Sequence, residues 1–242
     1  MSHAERRQGA VVLRGRERAH PTADQALLAP TSSDWVHDDP WRVLRIQAEF
    51  VEGFDALHRL GPAISVFGSA RTATDDPMYA VAERIAAGLV EAGWAVITGG
   101  GPGIMEAGNK GASQAGGQSI GLGIELPHEQ GLNDYVGLGI NFRYFFARKT
   151  CFLKYSQGFI VLPGGFGTFD ELFESLTLIQ TQKVSHFPVV LFGSSYWAGL
   201  LDWLRHTVAE QGCISPGDLD LVRLTDDVDE AVAAIGRPAL VR

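Results

Sequence analysis

Residues 158–174 read GFIVLPGGFGTFDELFE, and few folds accommodate such a stretch. Residues 159–162 form an apolar, β-branched-rich run too short for a helix, the pattern of a strand buried on both faces. Pro163 ends the strand, and Gly164, Gly165 and Gly167 let the backbone turn tightly and come close to a ligand. Thr168 is expected to open a helix that keeps Leu172, Leu176 and Ile179 on one face. A glycine turn feeding a helix N-terminus presents free N–H groups at the positive end of the helix dipole, and phosphate is the guest that suits it. The same residues also admit a plainer reading. Thr168 and Glu171 fit a capping box, and Asp170 and Glu171 suit any first helical turn. A capping box alone does not require the glycines that precede it.

The rest of the chain alternates in the same way. A strand at 63–67 ends in Gly68-Ser69-Ala70, and a helix at about 77–92 turns Tyr79, Ala82, Ile85, Ala86 and Leu89 inward. A strand at 95–98 ends in Gly99-Gly100-Gly101-Pro102-Gly103 and feeds a helix from Ile104 to about Ala115. Further strands are expected at 119–126, near 138–142 and at 188–192, and further helices at 147–157, from Trp197 to about Gln211 and at 228–235. Such alternation specifies an α/β fold, a doubly wound parallel sheet with helices on both faces. Ahead of the first strand, Asp39-Pro40 reads as a helix start, with Val43, Ile46, Phe50, Phe54 and Leu57 on one face of an N-terminal helical extension. That helix is expected to pack across the domain or onto another subunit. Residues 1–38, with Arg6, Arg7, Arg14, Arg16 and Arg18 set among polar and small residues, read as a flexible or partner-docked tail. Residues 39–242 read as one domain.

Composition narrows the function classes. The chain of 242 residues carries 20 basic and 28 acidic side chains, a formal charge of −8, which speaks against a general nucleic-acid or anionic-membrane surface. Cys151 and Cys213 are its only cysteines and form no C-x-x-C pair, so reduced thiols in the cytoplasm are expected. No apolar run approaches the ~18 residues of a membrane span, and the N-terminus lacks the apolar core of a secretory signal.

In a doubly wound sheet, ligands sit beyond the carboxyl ends of the strands where the strand order reverses. Turns of small residues follow three strands here, at Gly68-Ser69, at residues 99–103 and at residues 164–168. A dinucleotide enzyme fits poorly: in Gly101-Pro102-Gly103-Ile104-Met105-Glu106 a bulky acid stands where the third fingerprint glycine belongs, and Gly165-Phe166-Gly167 fails likewise at Asp170. Glu125 is a candidate ribose-binding acid, and equally an ordinary polar residue at a strand end. There is no G-x-x-x-x-G-K-[ST] and no H-E-x-x-H, so neither a P-loop nor a metal site is expected, and no cofactor is implied.

Three blocks, GGGPGIMEAGNKGA at 99–112, the Arg148-Lys149 pair, and PGGFGTFDE at 163–171, together resemble the Lonely-guy family. These are cytokinin riboside 5′-monophosphate phosphoribohydrolases, often labelled lysine decarboxylases. The resemblance covers residues 64–228 and implies a Rossmann-like fold and hydrolysis of the N-glycosidic bond of a nucleoside 5′-monophosphate. It implies Glu171 and Arg148 as catalytic residues, Glu171 at the ribose and C1′ and Arg148 facing the leaving base or the anionic groups. By the same resemblance Gly164, Gly165, Gly167 and Thr168 hold phosphate and ribose, and Gly101, Gly103 and Met105 line the crevice with Gly68 and Ser69. Glu129 resembles a substrate-contacting acid, and Lys149 and Glu174 are expected among the substrate-binding residues, Glu174 equally admitting the reading of a solvated or interface carboxylate on the helix face of Glu171. The longer bacterial relatives imply a homo-oligomer, a dimer or a hexamer built of dimers, acting on a small-molecule nucleoside monophosphate with no nucleic acid or membrane partner. Asp170 departs from the Glu that many relatives carry there, a conservative change. Three classes stay open on the sequence: this hydrolase, a broader nucleotide 5′-monophosphate nucleosidase, and a non-catalytic nucleotide-binding module. A lysine decarboxylase would need a cofactor-bearing lysine, and neither Lys110, Lys149, Lys154 nor Lys183 has such a context.

Overall fold

A computed structural model describes residues 5–8, 11–14, 22–28, 35–126, 131–183 and 187–238. Strands β1 (Glu5–Gln8) and β2 (Val11–Arg14) pair antiparallel, and a short helix α1 (Ala23–Leu28) follows. Within the stretch read as a tail, then, the described residues hold local structure.

Helix α2 spans Trp35–Leu57, so the extension begins ahead of Asp39 and Pro40 lies inside the helix. Asp39-Pro40 therefore does not mark the helix start: Pro40 is the sixth residue of α2, where it forgoes one backbone hydrogen bond to the preceding turn. Ile46, Phe50, Phe54 and Leu57 pack on the core as the periodicity predicts, while Val43, expected on the same face, is exposed. Trp41, Leu44 and Val51 stay exposed on the outer side of α2.

Among the described residues seven parallel strands follow: β3 (Ala63–Phe67), β4 (Ala95–Thr98), β5 (Ser119–Ile124), β6 (Leu138–Phe142), β7 (Phe159–Val161), β8 (Val189–Phe192) and β9 (Val222–Thr225). The sheet order is β6-β5-β4-β3-β7-β8-β9, with every pairing parallel. Strand β9 was not legible in the sequence, because VRLT is short and charged and a 3₁₀ turn (Pro216–Leu221) delivers it to the sheet edge.

Crossover helices clothe both faces, as parallel strands require. Alternate residues of each central strand go to opposite cores. Phe159 and Val161 of β7 join one cluster with Phe67, Phe152, Leu172 and Trp197. Ile160 and Leu162 join the other with Ile64, Val66, Ile85 and Leu89. The first cluster lies under α2, α5 (Phe145–Tyr155), α6 (Phe166–Gln180) and α7 (Ser194–Trp203); the second lies under α3 (Pro77–Glu91), α4 (Ile104–Gln114) and α8 (Val228–Ile235). No helix among the described residues is long and apolar enough to cross a membrane.

Topology places the chemistry. From β3 the chain winds outward through β4, β5 and β6, then returns to place β7 on the other side of β3. The connections leaving β3 and β7 therefore diverge, opening a crevice at their carboxyl ends. The three strands that end in small-residue turns, β4, β3 and β7, are immediate neighbours.

Candidate functional site

The three turns are stitched together by backbone bonds. The Ser69 N–H donates to the Pro163 carbonyl at 2.9 Å, and the Ser69 carbonyl accepts from the Ile104 N–H at 3.0 Å. Gly103 adopts φ 68°, and a Cβ there would lie 2.4 Å from the Ser69 oxygen, so no other residue fits this crossing. Side chains at Gly68, Gly101 and Gly164 would collide with Ile104, Met105 and Thr168 respectively.

Gly165 and Gly167 are different. Both are exposed, neither has a positive φ, and a Cβ on either would meet nothing within 4 Å. Glycine inside the first helical turn, where Gly167 lies, costs about 1 kcal/mol against alanine, and nothing in the chain itself requires it there. What a missing Cβ leaves is open access to the N–H groups at the head of α6.

Helix α6 begins at Phe166 with Gly165 as its N-cap and no side-chain cap, two residues earlier than the sequence predicts. Thr168 therefore lies within the first turn, its N–H donating to the Gly165 carbonyl at 2.9 Å. The capping-box reading of Thr168 and Glu171 falls with this, since a capping threonine must precede the helix.

Glu171 sits one turn further on, only 6% exposed. Its Oε2 is buried without a hydrogen-bond partner among the described residues. Burial pushes its pKa up to about 7, against the pull of Lys149 and Arg148 and with the repulsion of Glu174 and Asp170 adding to the rise. A carboxylate so placed is a poor structural group and a good acid–base group near neutrality.

Arg148 and Lys149 come from α5, which has no side-chain cap of its own. The extension supplies one: Glu49 of α2, 3% exposed, accepts from the N–H groups of Arg143 at 2.9 Å and Tyr144 at 3.0 Å. Asp24 of α1 accepts from the Phe145 N–H at 3.1 Å. Arg148 Nε donates to the Leu122 carbonyl of β5 at 2.7 Å, and its guanidinium lies 5.2 Å from the Phe152 ring centre. Arg148 and Met105 both reach over Gly99, where a Cβ would lie 2.5 Å from Arg148 Nη2 and 2.6 Å from Met105 Sδ.

Lys149 bridges α5 to α6, its ammonium 2.8 Å from both Asp170 Oδ1 and Glu174 Oε2. Burial alone would lower its pKa, but the hydrogen bonds to Asp170 and Glu174 outweigh it and hold the pKa above the ordinary lysine value. The Lys149 side chain is 15% exposed, while its partner Asp170 is 55% exposed, so the pair sits at the edge of the site. Glu129, expected as a substrate contact, lies outside the described residues.

Two residues of this region escaped the sequence reading. Asn133 donates from Nδ2 to the carbonyls of Gly100 and Gly101, both at 3.0 Å, and to Asn109 Oδ1 at 2.9 Å, fixing the first glycine turn from behind. Tyr196 of α7 donates to the Gly164 carbonyl at 2.6 Å. Neither belongs to a motif, and each acts across more than thirty residues of chain, at separations of 33 and 32. Among the described residues no group of three or more His, Cys, Asp or Glu side chains is arranged to hold a metal ion.

A family model described as possible lysine decarboxylase matches residues 105–235. A cytokinin riboside 5′-monophosphate phosphoribohydrolase of Rhodococcoides fascians is 35% identical over 91 residues, which are 38% of this chain and 46% of that protein. A protein of the same name from Mycobacterium tuberculosis is 29% identical over 170 residues, 68% of this chain and 89% of its own length. Among solved structures, the molybdenum cofactor carrier protein of Chlamydomonas reinhardtii superposes with a TM-score of 0.54 at 26% identity, covering 72% of this chain and 96% of the carrier.

Proposed function

This chain belongs to the possible lysine decarboxylase family, the Lonely-guy family, and from that premise we propose that it hydrolyses the N-glycosidic bond of nucleoside 5′-monophosphates to free base and ribose 5-phosphate. The observation that carries this reading is Glu171: a buried carboxylate with an unpaired oxygen, held near neutrality, between a cationic pair and an uncapped glycine-rich helix start.

Cleavage of an N-glycoside develops positive charge on the ribose ring and C1′ and negative charge on the departing base. In the proposed reaction the Glu171 carboxylate faces the sugar, stabilising the oxocarbenium-like centre and orienting water. The C1′–N bond breaks with its electron pair going to the base. The water oxygen bonds to C1′, and its proton passes through Glu171 toward the base, so one water is consumed. Arg148 stabilises the base's developing charge electrostatically, since a guanidinium with pKa above ~12 does not serve as a proton donor. The N–H groups at the start of α6 hold the 5′-phosphate away from the reacting bond and supply positioning energy.

Lys149 is assigned a tethering role. Its two ion pairs align Glu171's helix with Arg148's, and its charge holds the Glu171 pKa down. With Glu171 acting as a carboxylate, activity rises through about pH 7. Lys149→Met removes a charge that lowers that pKa, so the rising limb moves to higher pH, and activity recovers to within about tenfold of wild type on the alkaline plateau. A pH–rate profile of both proteins checks this; an unmoved limb would remove Lys149 from the electrostatics of the site.

The decarboxylase label finds little support in the lysines. A Schiff-base lysine needs a lowered pKa. Lys149 and Lys110 are instead ion-paired and held above the ordinary value. A second reading, nucleotide binding without hydrolysis, is favoured by the likeness to the cofactor carrier protein. Base release from AMP and from isopentenyladenosine 5′-monophosphate, with the unphosphorylated ribosides as controls, separates the readings. The expected result is release from the monophosphates alone, and the ratio of the two rates decides between cytokinin activation and general nucleotide hydrolysis. Binding of AMP with no release of base would leave the carrier-type reading standing.

A further inference from the structure

We infer that Tyr196 is a positioning residue for the anion-binding end of the site, locking the Gly164–Gly165 peptide so that its N–H faces the substrate's phosphate. This rests on the proposed reading of the glycine turn as the phosphate cradle.

A peptide plane between two glycines has no Cβ on either side to fix its rotation. Here, among the described residues, one side-chain bond fixes it. The Tyr196 hydroxyl donates to the Gly164 carbonyl at 2.6 Å. All peptides among the described residues are trans. In a planar trans peptide the carbonyl and the following N–H point in opposite directions, so anchoring the Gly164 oxygen against α7 turns the Gly165 N–H away from α7. The preceding carbonyl is held in the same manner, because Pro163's oxygen accepts from the Ser69 N–H at 2.9 Å. Two successive carbonyls are thus engaged by the protein. The next N–H groups in line, those of Gly165, Phe166 and Gly167, lie on exposed residues at the uncapped start of α6.

Tyr196 is itself held. Its ring meets Trp197 edge-on at 4.9 Å and stacks on Phe169 at 6.5 Å. Trp197 is fully buried, and its Nε1 donates to the Phe192 carbonyl at 3.1 Å. Phe169 belongs to the same helix as Glu171, so one aromatic cluster sets both the cradle and the helix that carries the buried acid. That acid supplies the independent sign of a guest: the unpaired Oε2 of Glu171, on a residue 94% buried, lacks a partner that a bound ribose would provide.

Tyr196→Phe keeps the ring and its packing and removes only the hydroxyl. In the full chain, the expected result is a three- to tenfold weaker affinity for ribose 5-phosphate by calorimetry and an equal rise in KM for AMP. The variant's kcat should stay within about twofold, adenosine binding should be unchanged, and the thermal midpoint should stay within about 2 °C. A KM effect without a kcat effect, confined to phosphorylated ligands, is what a merely structural role would not produce. Unchanged ribose 5-phosphate affinity in the variant, or a loss shared equally by adenosine, would overturn the inference. The two readings fail separately: wild-type protein that binds ribose 5-phosphate but releases no base would sink the hydrolase, while the variant's affinity would still decide the role of Tyr196. Wild-type protein that does not bind ribose 5-phosphate would overturn the cradle and the clamp together.

Discussion

Glu171→Gln is expected to lower kcat for nucleoside monophosphate hydrolysis by at least a thousandfold while leaving AMP affinity within severalfold of wild type. The glutamine keeps the shape and burial of the side chain but neither carries charge nor accepts a proton, so both proposed roles of the carboxylate vanish while the cradle at α6 remains. Single-turnover base release and equilibrium AMP binding measure the two quantities independently. Retained turnover would remove Glu171 from the chemistry.

The same substitution has a stability signature with a definite sign. Glu171 has a folded-state pKa of about 7, raised from 4.5 chiefly by burial. A raised acid pKa means that the folded protein binds the proton more tightly than the unfolded chain. The resulting stability is fully present below pH 4.5 and is lost as pH rises through about 7. A shift of this size corresponds to about 3 kcal/mol. Glutamine lacks the term, so the stability of Glu171→Gln relative to wild type should rise across that window. Urea midpoints at pH 5 and pH 8 for both proteins test it. A difference that does not grow with pH would mean that the carboxylate is better solvated than its 6% exposure implies.

Arg148→Ala is expected to lower kcat/KM by about a thousandfold, and Arg148→Lys to recover only a small part of it. Removing one preorganised charge from a water-poor site costs about 2.7–4 kcal/mol of transition-state stabilisation. Lysine restores the charge but not the geometry. The Nε–Leu122 bond aims the guanidinium over Gly99 while the ring of Phe152 backs it, and a flexible ammonium has no equivalent fork. Part of the loss at neutral pH arises indirectly, because Arg148 also holds the Glu171 pKa down. The deficit of Arg148→Ala should therefore be largest near pH 7 and smaller at pH 9. The residue remaining on the alkaline plateau measures the direct electrostatic contribution. A deficit independent of pH would uncouple the two residues.

Much of this protein was legible as a string. Short apolar runs closed by glycine turns identify strands entering helices, because a strand buried on both faces needs continuous apolar residues and a backbone approached by a ligand needs small ones. The three glycine turns were visible in this way, whereas Arg148, Lys149 and Glu171 were singled out by the resemblance of their blocks to the Lonely-guy family and not by local pattern. Asp39-Pro40 and Thr168 misplaced two helix starts, because local end signals compete with packing along the whole helix. Strand β9 passed unseen because an edge strand of four residues carries almost no periodicity.

What the sequence by itself determined was the βα units other than the one begun by β9 and the residue types at their ends, since periodicity and backbone freedom are local properties. Only the tertiary structure decided that β4, β3 and β7 lie side by side, that Glu171 is buried beside two cations, and that Glu49, Asn133 and Tyr196 hold the helix start and the glycine turns in place. Those features arise between residues far apart in the chain. Strand order and the electrostatic environment of a side chain depend on the summed packing of both cores, and no short window of sequence contains that sum.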